Sequence, residues 1–338
     1  MPLVRAITLF TSPNATREEV LDILNTVKTY LLKNDVRVWT FRVAYPPGHR
    51  WSSGESVCDK HMAVAYHADA CSLDVDDLLT YLSTCPKGYA AIKLDDVGCV
   101  ENVVRAILKV SETNPSYATR VGFSIGGFVE TPYFPLATSF REGIGAAFRF
   151  TDITSGKRPR EWVGEVANYV SSLGDLIERA AEEAGTTYLG LDLSLSPWME
   201  ESVVPTIEAA SGVPFPLPGT VHGLRTVNDA LAEAGESSGH RMIGFNEVML
   251  AVGEDSELMR LSEAGSLRLS HLISLLPYCL VGVDMVVVDK DDDLVRGIVM
   301  DAVTAQRVKN RVVGVRLIAV EGGYADLDMF GRVPKTLP

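Results

Sequence analysis

Apolar runs that alternate with amphipathic helical segments constrain the fold of this chain more than any other feature. Residues 4–10 and 281–289 are apolar at almost every position, so both faces of each predicted strand are buried. Between such runs, as at residues 100–112, apolar side chains recur every three to four positions, which predicts helices. The alternation predicts a mainly parallel sheet with helices outside, as an open sheet or a closed barrel, within one α/β domain spanning residues 1–338.

The remaining elements follow from the same periodicities. Thr16 and Glu19 have the spacing of a capping box and predict the start of the first helix. Further strands are predicted at residues 36–45, 89–94, 119–127, 188–195, 241–252 and 312–320, and further helices at residues 162–184 and 293–308.

Charge and hydropathy limit the classes of partner that we expect for this chain. The net charge of −13 and the pI near 5.0 would repel a phosphate backbone, so we expect no nucleic acid partner. No window reaches the roughly eighteen uncharged apolar residues of a membrane span, and the first residues lack the pattern of a signal peptide. We therefore expect a cytoplasmic protein that does not enter a membrane.

The five cysteines are scattered and include no CxxC pair, which argues against a disulfide framework and against a zinc knuckle. We expect reduced and mostly buried thiols. Gln306 is the only glutamine, which points toward a heat-adapted or GC-rich source, because amide side chains are thermally labile.

One polar segment follows an apolar run. Asp192 and Ser194 fall at or near the end of the strand predicted at residues 188–195, and Pro197 is predicted to start a helix with Glu200 and Glu201 in its first turn. In parallel α/β sheets the ligand crevice lies beyond the carboxyl ends of the strands, so we expect a site here.

Several motifs, in a fixed order, carry a family resemblance. They are DLSLSP from Asp192, TVHGL from Thr220, GFNEV from Gly244, the run from Ala264 to Met285, and VVGVRLIAV. Together they resemble the uncharacterised protein family 0210, also called domain of unknown function 711, whose fold is related to that of pyruvate formate-lyase. The resemblance implies an α/β barrel of two parallel half-sheets with outer helices. It implies no established activity.

A glycyl radical does not fit this chain. In the segment from Asn310 to Leu317, Gly314 would be the radical glycine, but Val315 stands where an aromatic residue would follow it. Cys279 is the only late cysteine in the sequence that could face this glycine. We interpret this segment as an ordinary buried strand without a radical.

Asp192 and His222 are the predicted catalytic residues. Asp192 can act as a general base at a strand end, or it can accept N–H bonds in a helix N-cap network with Ser194 and Ser196. His222 lies in a predicted loop from which an imidazole can reach a crevice, or bond a backbone carbonyl instead.

Ser194 at the strand end and polar residues inside apolar strands supply the predicted substrate contacts. Asp284 either points into the barrel mouth or is neutralised by an arginine such as Arg316, because a buried carboxylate is costly alone. Asn246 and Glu247 interrupt another strand, and with Asp192 these residues suggest one shared polar cavity. The carboxylates of Asp192, Glu247 and Asp284 would suit a divalent cation.

Gly126 and Gly127 follow a strand and could let backbone amides approach an anion. They do not form a GxGxxG or P-loop pattern, so we predict no nicotinamide or nucleotide cofactor. We expect an enzyme that acts on a small anionic metabolite by acid/base chemistry, assembled as a homo-oligomer through apolar helices near residues 272–276. The alternative is a non-catalytic metabolite-binding or sensor protein on the same scaffold.

Overall fold

The computed structural model describes residues 3–49, 51, 57–279 and 281–338. Residues 46–56, whose turn-forming and polar sequence predicts a surface loop, lie partly outside the described residues, at residues 50 and 52–56. The strands are β1 Leu3–Phe10, β2 Arg37–Ala44, β3 Met62–Asp69, β4 Gly88–Leu94, β5 Val121–Ile125, β6 Gly143–Phe148, β7 Tyr188–Asp192, β8 Met249–Ala251, β9 Val281–Asp289, β10 Val313–Val320, β11 Tyr324–Leu327 and β12 Gly331–Pro334.

The helices pack outside these strands. They are α1 Arg17–Lys33, α2 Val75–Thr84, α3 Val100–Thr113, α4 Pro115–Ala118, α5 Thr151–Thr154, α6 Pro159–Glu183, α7 Val204–Ser211, α8 Thr220–Ser238, α9 Ser256–Glu263, α10 Leu269–Leu275 and α11 Asp292–Lys309.

Ten strands form one large, mostly parallel sheet in the order β7-β6-β1-β2-β3-β4-β5-β10-β9-β8. Strands β1 to β5 are parallel neighbours, and β1 meets β6 and β5 meets β10 in antiparallel pairs. The two end strands approach each other, because the Met249 amide of β8 donates to the Leu195 carbonyl just beyond β7, with N and O 2.9 Å apart. The predicted mixed α/β fold with a mainly parallel sheet is confirmed at this level.

Helix α1 shows how local sequence sets an element. Thr16 accepts from the Glu19 amide, and the Glu19 carboxylate accepts from the Thr16 amide, so the predicted capping box forms. The helix buries Val20, Leu24, Val27 and Leu31 against the sheet. Their spacing of three to four residues places them on one face.

The segment after β7 departs from the prediction. Strand β7 ends at Asp192, and residues 197–201 form no helix, because Trp198 and Glu201 pair as an isolated bridge. The Glu201 carboxylate accepts from Arg149 instead of lying in a helical first turn. The helix that was expected here begins only at Val204, after the chain has turned back over the sheet.

The strand predicted at residues 241–252 is also mostly wrong. Only β8, Met249–Ala251, is a strand, because Asn246 adopts a left-handed backbone conformation with φ of 57° that interrupts extended pairing. Strands β3 and β6 and helix α2 belong to the fold as well, and the sequence analysis did not predict them.

Four cysteines are paired, which corrects the expectation of reduced thiols. Cys58 bonds to Cys85 and Cys71 to Cys99, with Cα atoms 5.5 and 5.0 Å apart. Cys279 is the free cysteine, and it is buried. The pairing was missed because both bridges join residues that tertiary packing brings together and that have no signature spacing in sequence.

Two further expectations concern an oligomer interface and a membrane span. Leu272, Leu275 and Leu276, which suggested an oligomer interface, are buried within this chain, so homo-oligomerisation stays a prediction. Within the described residues, no helix combines the length and the apolar character needed to cross a membrane.

The disulfides generate a prediction. Thiol titration of the unfolded, unreduced protein should detect only Cys279, and all five cysteines should react after reduction. Because the bridges close loops with sequence separations of 27 and 28, reduction should lower the free energy of unfolding by about 2–4 kcal/mol per bridge, measured by urea denaturation.

The matched control is Cys279→Ala, which should abolish the thiol signal before reduction and leave the effect of reduction on stability unchanged. Detection of five thiols without reductant would contradict the pairing.

Candidate functional site

Asp192 is the centre of a buried hydrogen-bond cluster at the end of β7. Its carboxylate, 0% exposed, accepts from the Ser194 amide and hydroxyl, the Thr131 hydroxyl, and the amides of Phe245 and Asn246, at 2.6 to 3.1 Å. Burial raises the pKa of Asp192, and the hydrogen bonds from Ser194, Phe245 and Thr131 oppose that rise. The carboxylate thus joins three separate segments of chain. It accepts backbone N–H bonds, but none of its donors lies in a helix, so Asp192 is not a helix N-cap.

The other predicted residues of this region complete that network. The Asn246 side chain accepts from the Leu193 amide and donates to the Ile243 carbonyl. The structure therefore brings Asp192, Ser194 and Asn246 together as the sequence analysis predicted. Both oxygens of Asp192 are occupied by N–H and O–H donors, however, which leaves no obvious coordination position for a cation.

His222 lies elsewhere. It is exposed in the first turn of α8, whereas Asp192 is fully buried, and no contact joins the two residues. The structure therefore does not assemble them as an acid/base pair, and their catalytic roles stay predictions.

Glu247 is held in a separate ion cluster. Its carboxylate accepts from Lys309, 2.5 Å from Nζ to Oε2, and from Arg311, 2.8 Å from Nη1 to Oε1. Lys309 also donates to the carbonyl of Cys279, whose thiol has a pKa that burial raises to about 12. This cluster ties α11 to the loops before β8 and β9.

Gly126 and Gly127 both have positive φ values, 90° and 122°, at the turn that follows β5. A Cβ on Gly126 would lie 2.4 Å from the side-chain nitrogen of Gln306, which can shift, so the positive φ rather than packing favours glycine there. The turn is not part of the cavity described next.

An interior cavity of about 130 Å³ lies inside the curved sheet. Five charged side chains line it, and each is at least nine-tenths buried: Arg5, Arg42, Glu254, Asp284 and Arg316. Asp284 is the one predicted site residue among them, whereas Asp192, Asn246 and Glu247 do not line the cavity. The shared polar cavity inferred from three interrupted strands is therefore not formed by those residues.

An ion network crosses this cavity. Arg316 donates from Nε and Nη2 to the two Asp284 oxygens, at 2.7 and 2.9 Å, and from Nη2 to Glu254 at 2.7 Å. Glu254 also accepts from Arg5, with Nη2 and Oε2 3.1 Å apart. Burial opposes the charge of Arg316, but Asp284 and Glu254 raise its pKa above the usual range. The proposed pairing of Asp284 with Arg316 is correct.

Arg42 differs from the other two arginines. Its Nε donates to the Thr40 hydroxyl at 2.8 Å and its Nη1 to the Pro132 carbonyl at 3.3 Å. No carboxylate of the described residues pairs with it. Burial and the neighbouring Arg5 lower the pKa of Arg42 to about 10, so it remains charged at neutral pH.

A larger space of about 610 Å³, which we call the vestibule, adjoins the cavity. Trp39, Met62, Tyr89 and Met329 border both spaces. The vestibule lies at the amino ends of β3 to β5, since Met62 begins β3, Tyr89 is the second residue of β4, and Thr119 precedes β5. The carboxyl ends of β6 to β10 lie at this same edge, because β1 meets β6 and β5 meets β10 in antiparallel pairs. Ser196, Pro197 and Trp198, which follow β7, line the cavity, so it lies beyond the carboxyl end of the strand where the sequence analysis expected a site.

Sequence reasoning missed Arg5, Arg42 and Glu254. The first two carried the same signal as Asp284, a charge within an apolar strand, but only Asp284 was treated in this way. Glu254 gave no comparable signal, because it lies beyond the three-residue strand β8.

Comparison with known proteins gives a family but no activity. The family model described as "Uncharacterised ACR (DUF711)" matches residues 113–326. A UPF0210 protein of Desulforudis audaxviator is 31% identical over 185 residues, covering 53% of this chain and 41% of that protein. Relatives of the same description in Neisseria meningitidis and Carboxydothermus hydrogenoformans are 29% and 28% identical, over 70% and 68% of this chain. The chain spans about half the length of these curated relatives.

The Asp192 cluster generates a prediction. Asp192→Asn places an N–H₂ group against at least one N–H or O–H donor, so we expect the free energy of unfolding to fall by about 3 kcal/mol in urea denaturation. Asp301→Asn, at an exposed position of α11, is the control and should leave stability unchanged. Unchanged stability in Asp192→Asn would return this carboxylate to a site role.

Proposed function

This chain belongs to the uncharacterised DUF711 family, and from that premise and the charges of its cavity we propose that it is an enzyme acting on a small anionic metabolite. One observation carries the proposal: a buried arginine, Arg42, faces the cavity without a carboxylate partner among the described residues. An isolated buried cation is costly, and an anionic ligand would offset that cost.

Acid/base chemistry forms the second part of the proposal. Asp284 lines the cavity and its pKa is raised, because burial outweighs the opposing effect of Arg316. A carboxylate whose pKa moves toward neutral is a better general base. Tyr89 is our candidate proton donor, since burial raises the pKa of its phenol and keeps it protonated. Asp284 thus takes the role that the sequence analysis gave to Asp192.

A non-catalytic binding protein is the second candidate. It is favoured by the complete pairing of the carboxylates, since all four oxygens of Asp284 and Glu254 accept from Arg5 or Arg316. Such a satisfied set can hold a ligand without moving a proton.

The fold and the location belong to the same proposal. We propose that the sheet closes as a barrel related to that of pyruvate formate-lyase, supported by the hydrogen bond between Met249 and Leu195. We also propose a cytoplasmic protein of a heat-adapted organism, because heat-adapted microbes carry intracellular disulfides.

Ligand binding is tested by thermal shift. Millimolar carboxylates and phosphorylated metabolites are screened, and we expect at least one to raise the melting temperature of the wild type by several degrees. Arg42→Gln should lose that rise, because the unpaired cation is gone. Arg179→Gln, at an exposed position of α6, should retain it. A ligand effect that survives in Arg42→Gln would refute the anion site.

Catalysis is tested by solvent exchange. Ligands found in the screen are incubated with enzyme in D₂O, and we expect proton NMR to show loss of a signal next to the anionic group. Asp284→Asn should abolish the exchange while binding is kept or strengthened, because one negative charge leaves the cavity. Binding without exchange in the wild type would favour the non-catalytic alternative.

A further inference from the structure

The charges that line the cavity can be counted. Arg5, Arg42 and Arg316 contribute three positive charges, and Glu254 and Asp284 contribute two negative charges. All five are nine-tenths buried or more, so water screens them weakly. The cavity therefore carries one surplus positive charge. A ligand with a single negative charge balances it, whereas a dianion would leave one buried charge unpaired.

An unpaired donor of Arg5 and the fixed position of Arg42 indicate where the negative charge of a ligand would lie. The Arg5 Nε is buried and has no hydrogen-bond partner among the described residues. Arg42 is held over the Phe134 ring, with Cζ 5.1 Å from the ring centroid, so its guanidinium is positioned by packing. Planar guanidinium groups match the planar fork of a carboxylate.

The rest of the wall is mostly apolar and aromatic, with the hydroxyls of Thr40, Thr119 and Ser196 among its polar groups. Trp39, Trp198, Phe245, Met249 and Phe330 surround the charged side, and the Trp198 ring packs against Phe330 with centroids 5.8 Å apart. A cavity of about 150 Å³ in another protein holds benzene, and this one is about 130 Å³. The space suits one ring or a short branched chain.

Resting on the proposed function, we propose that the cavity selects monocarboxylates with a compact apolar body, about the size of a single ring. Dicarboxylates are disfavoured, because near neutral pH they carry two negative charges. Inorganic phosphate is disfavoured, because a large fraction of it is a dianion near neutral pH and it has no apolar body. Acetate balances the charge but leaves the aromatic wall uncovered. Lys60 and Lys87 line the adjoining vestibule, and their positive charges attract anions to this side of the molecule.

The test measures the affinity of the full chain by calorimetry for benzoate, acetate, malonate, inorganic phosphate and neutral benzamide. We expect benzoate to bind at least tenfold more tightly than each of the others. Arg42→Gln should weaken benzoate binding at least tenfold and remove the preference over benzamide. Arg179→Gln is the matched control and should bind like the wild type.

A second variant keeps the proposal testable if Arg42→Gln does not fold. Met249→Ala leaves all five charges in place and enlarges the cavity on its apolar side. It should therefore shift the binding preference from benzoate toward the larger naphthoate. No such shift would overturn the assignment of the apolar body to this cavity.

The outcomes separate the two proposals. Equal or tighter binding of malonate, phosphate or acetate would overturn the monocarboxylate class and leave the anion site of the proposed function standing. Failure of every anion, here and in the thermal-shift screen, would overturn both.

Discussion

The network of Arg5, Glu254, Arg316 and Asp284 is the interaction on which the interior of this protein depends. It connects β1 with the segment after β8, with β9 and with β10, so it joins strands from both sides of the antiparallel junctions in the sheet. Burying each charge costs desolvation free energy, and only close ion pairs with well-formed hydrogen bonds offset that cost. Removing one member would leave another charge buried alone, which explains how a charged interior can persist within an otherwise apolar sheet.

Arg42 supplies a positive charge to this interior that the ion network does not balance. The four residues of the network balance one another, and the fifth charge, Arg42, has only neutral oxygen acceptors within the part of the chain that the structure describes, from Thr40 and Pro132. The Asp192 cluster provides the contrasting case, since a single buried carboxylate there is satisfied by five donors from the chain itself. Buried charge is thus structural where the protein completes its hydrogen bonds and available for a ligand where it does not.

Local pattern predicted much of the scaffold but not all of its strands. Strand β6, GIGAAF, was missed because glycine and alanine have low strand propensity. Tertiary contact requires such small residues, since a Cβ on Gly145 would lie 2.6 Å from Ile243. The candidate site was predicted only in part, because some of its ion pairs join residues far apart in sequence. Asp284 and its partner Arg316 were recognised as charges in apolar strands, whereas Glu254 lies 249 residues from Arg5 and gives no sign of that pairing.

The sequence by itself determined the alternation of strands and helices, the capping box at Thr16 and the family, because these depend on neighbouring residues and on ordered motifs. Only the tertiary structure decided which charges meet, that Asp192 is enclosed by donors, and that four cysteines pair. Periodicity reports that a side chain is buried. The order in which strands assemble decides what it is buried against, and that order is set by contacts between residues far apart in sequence.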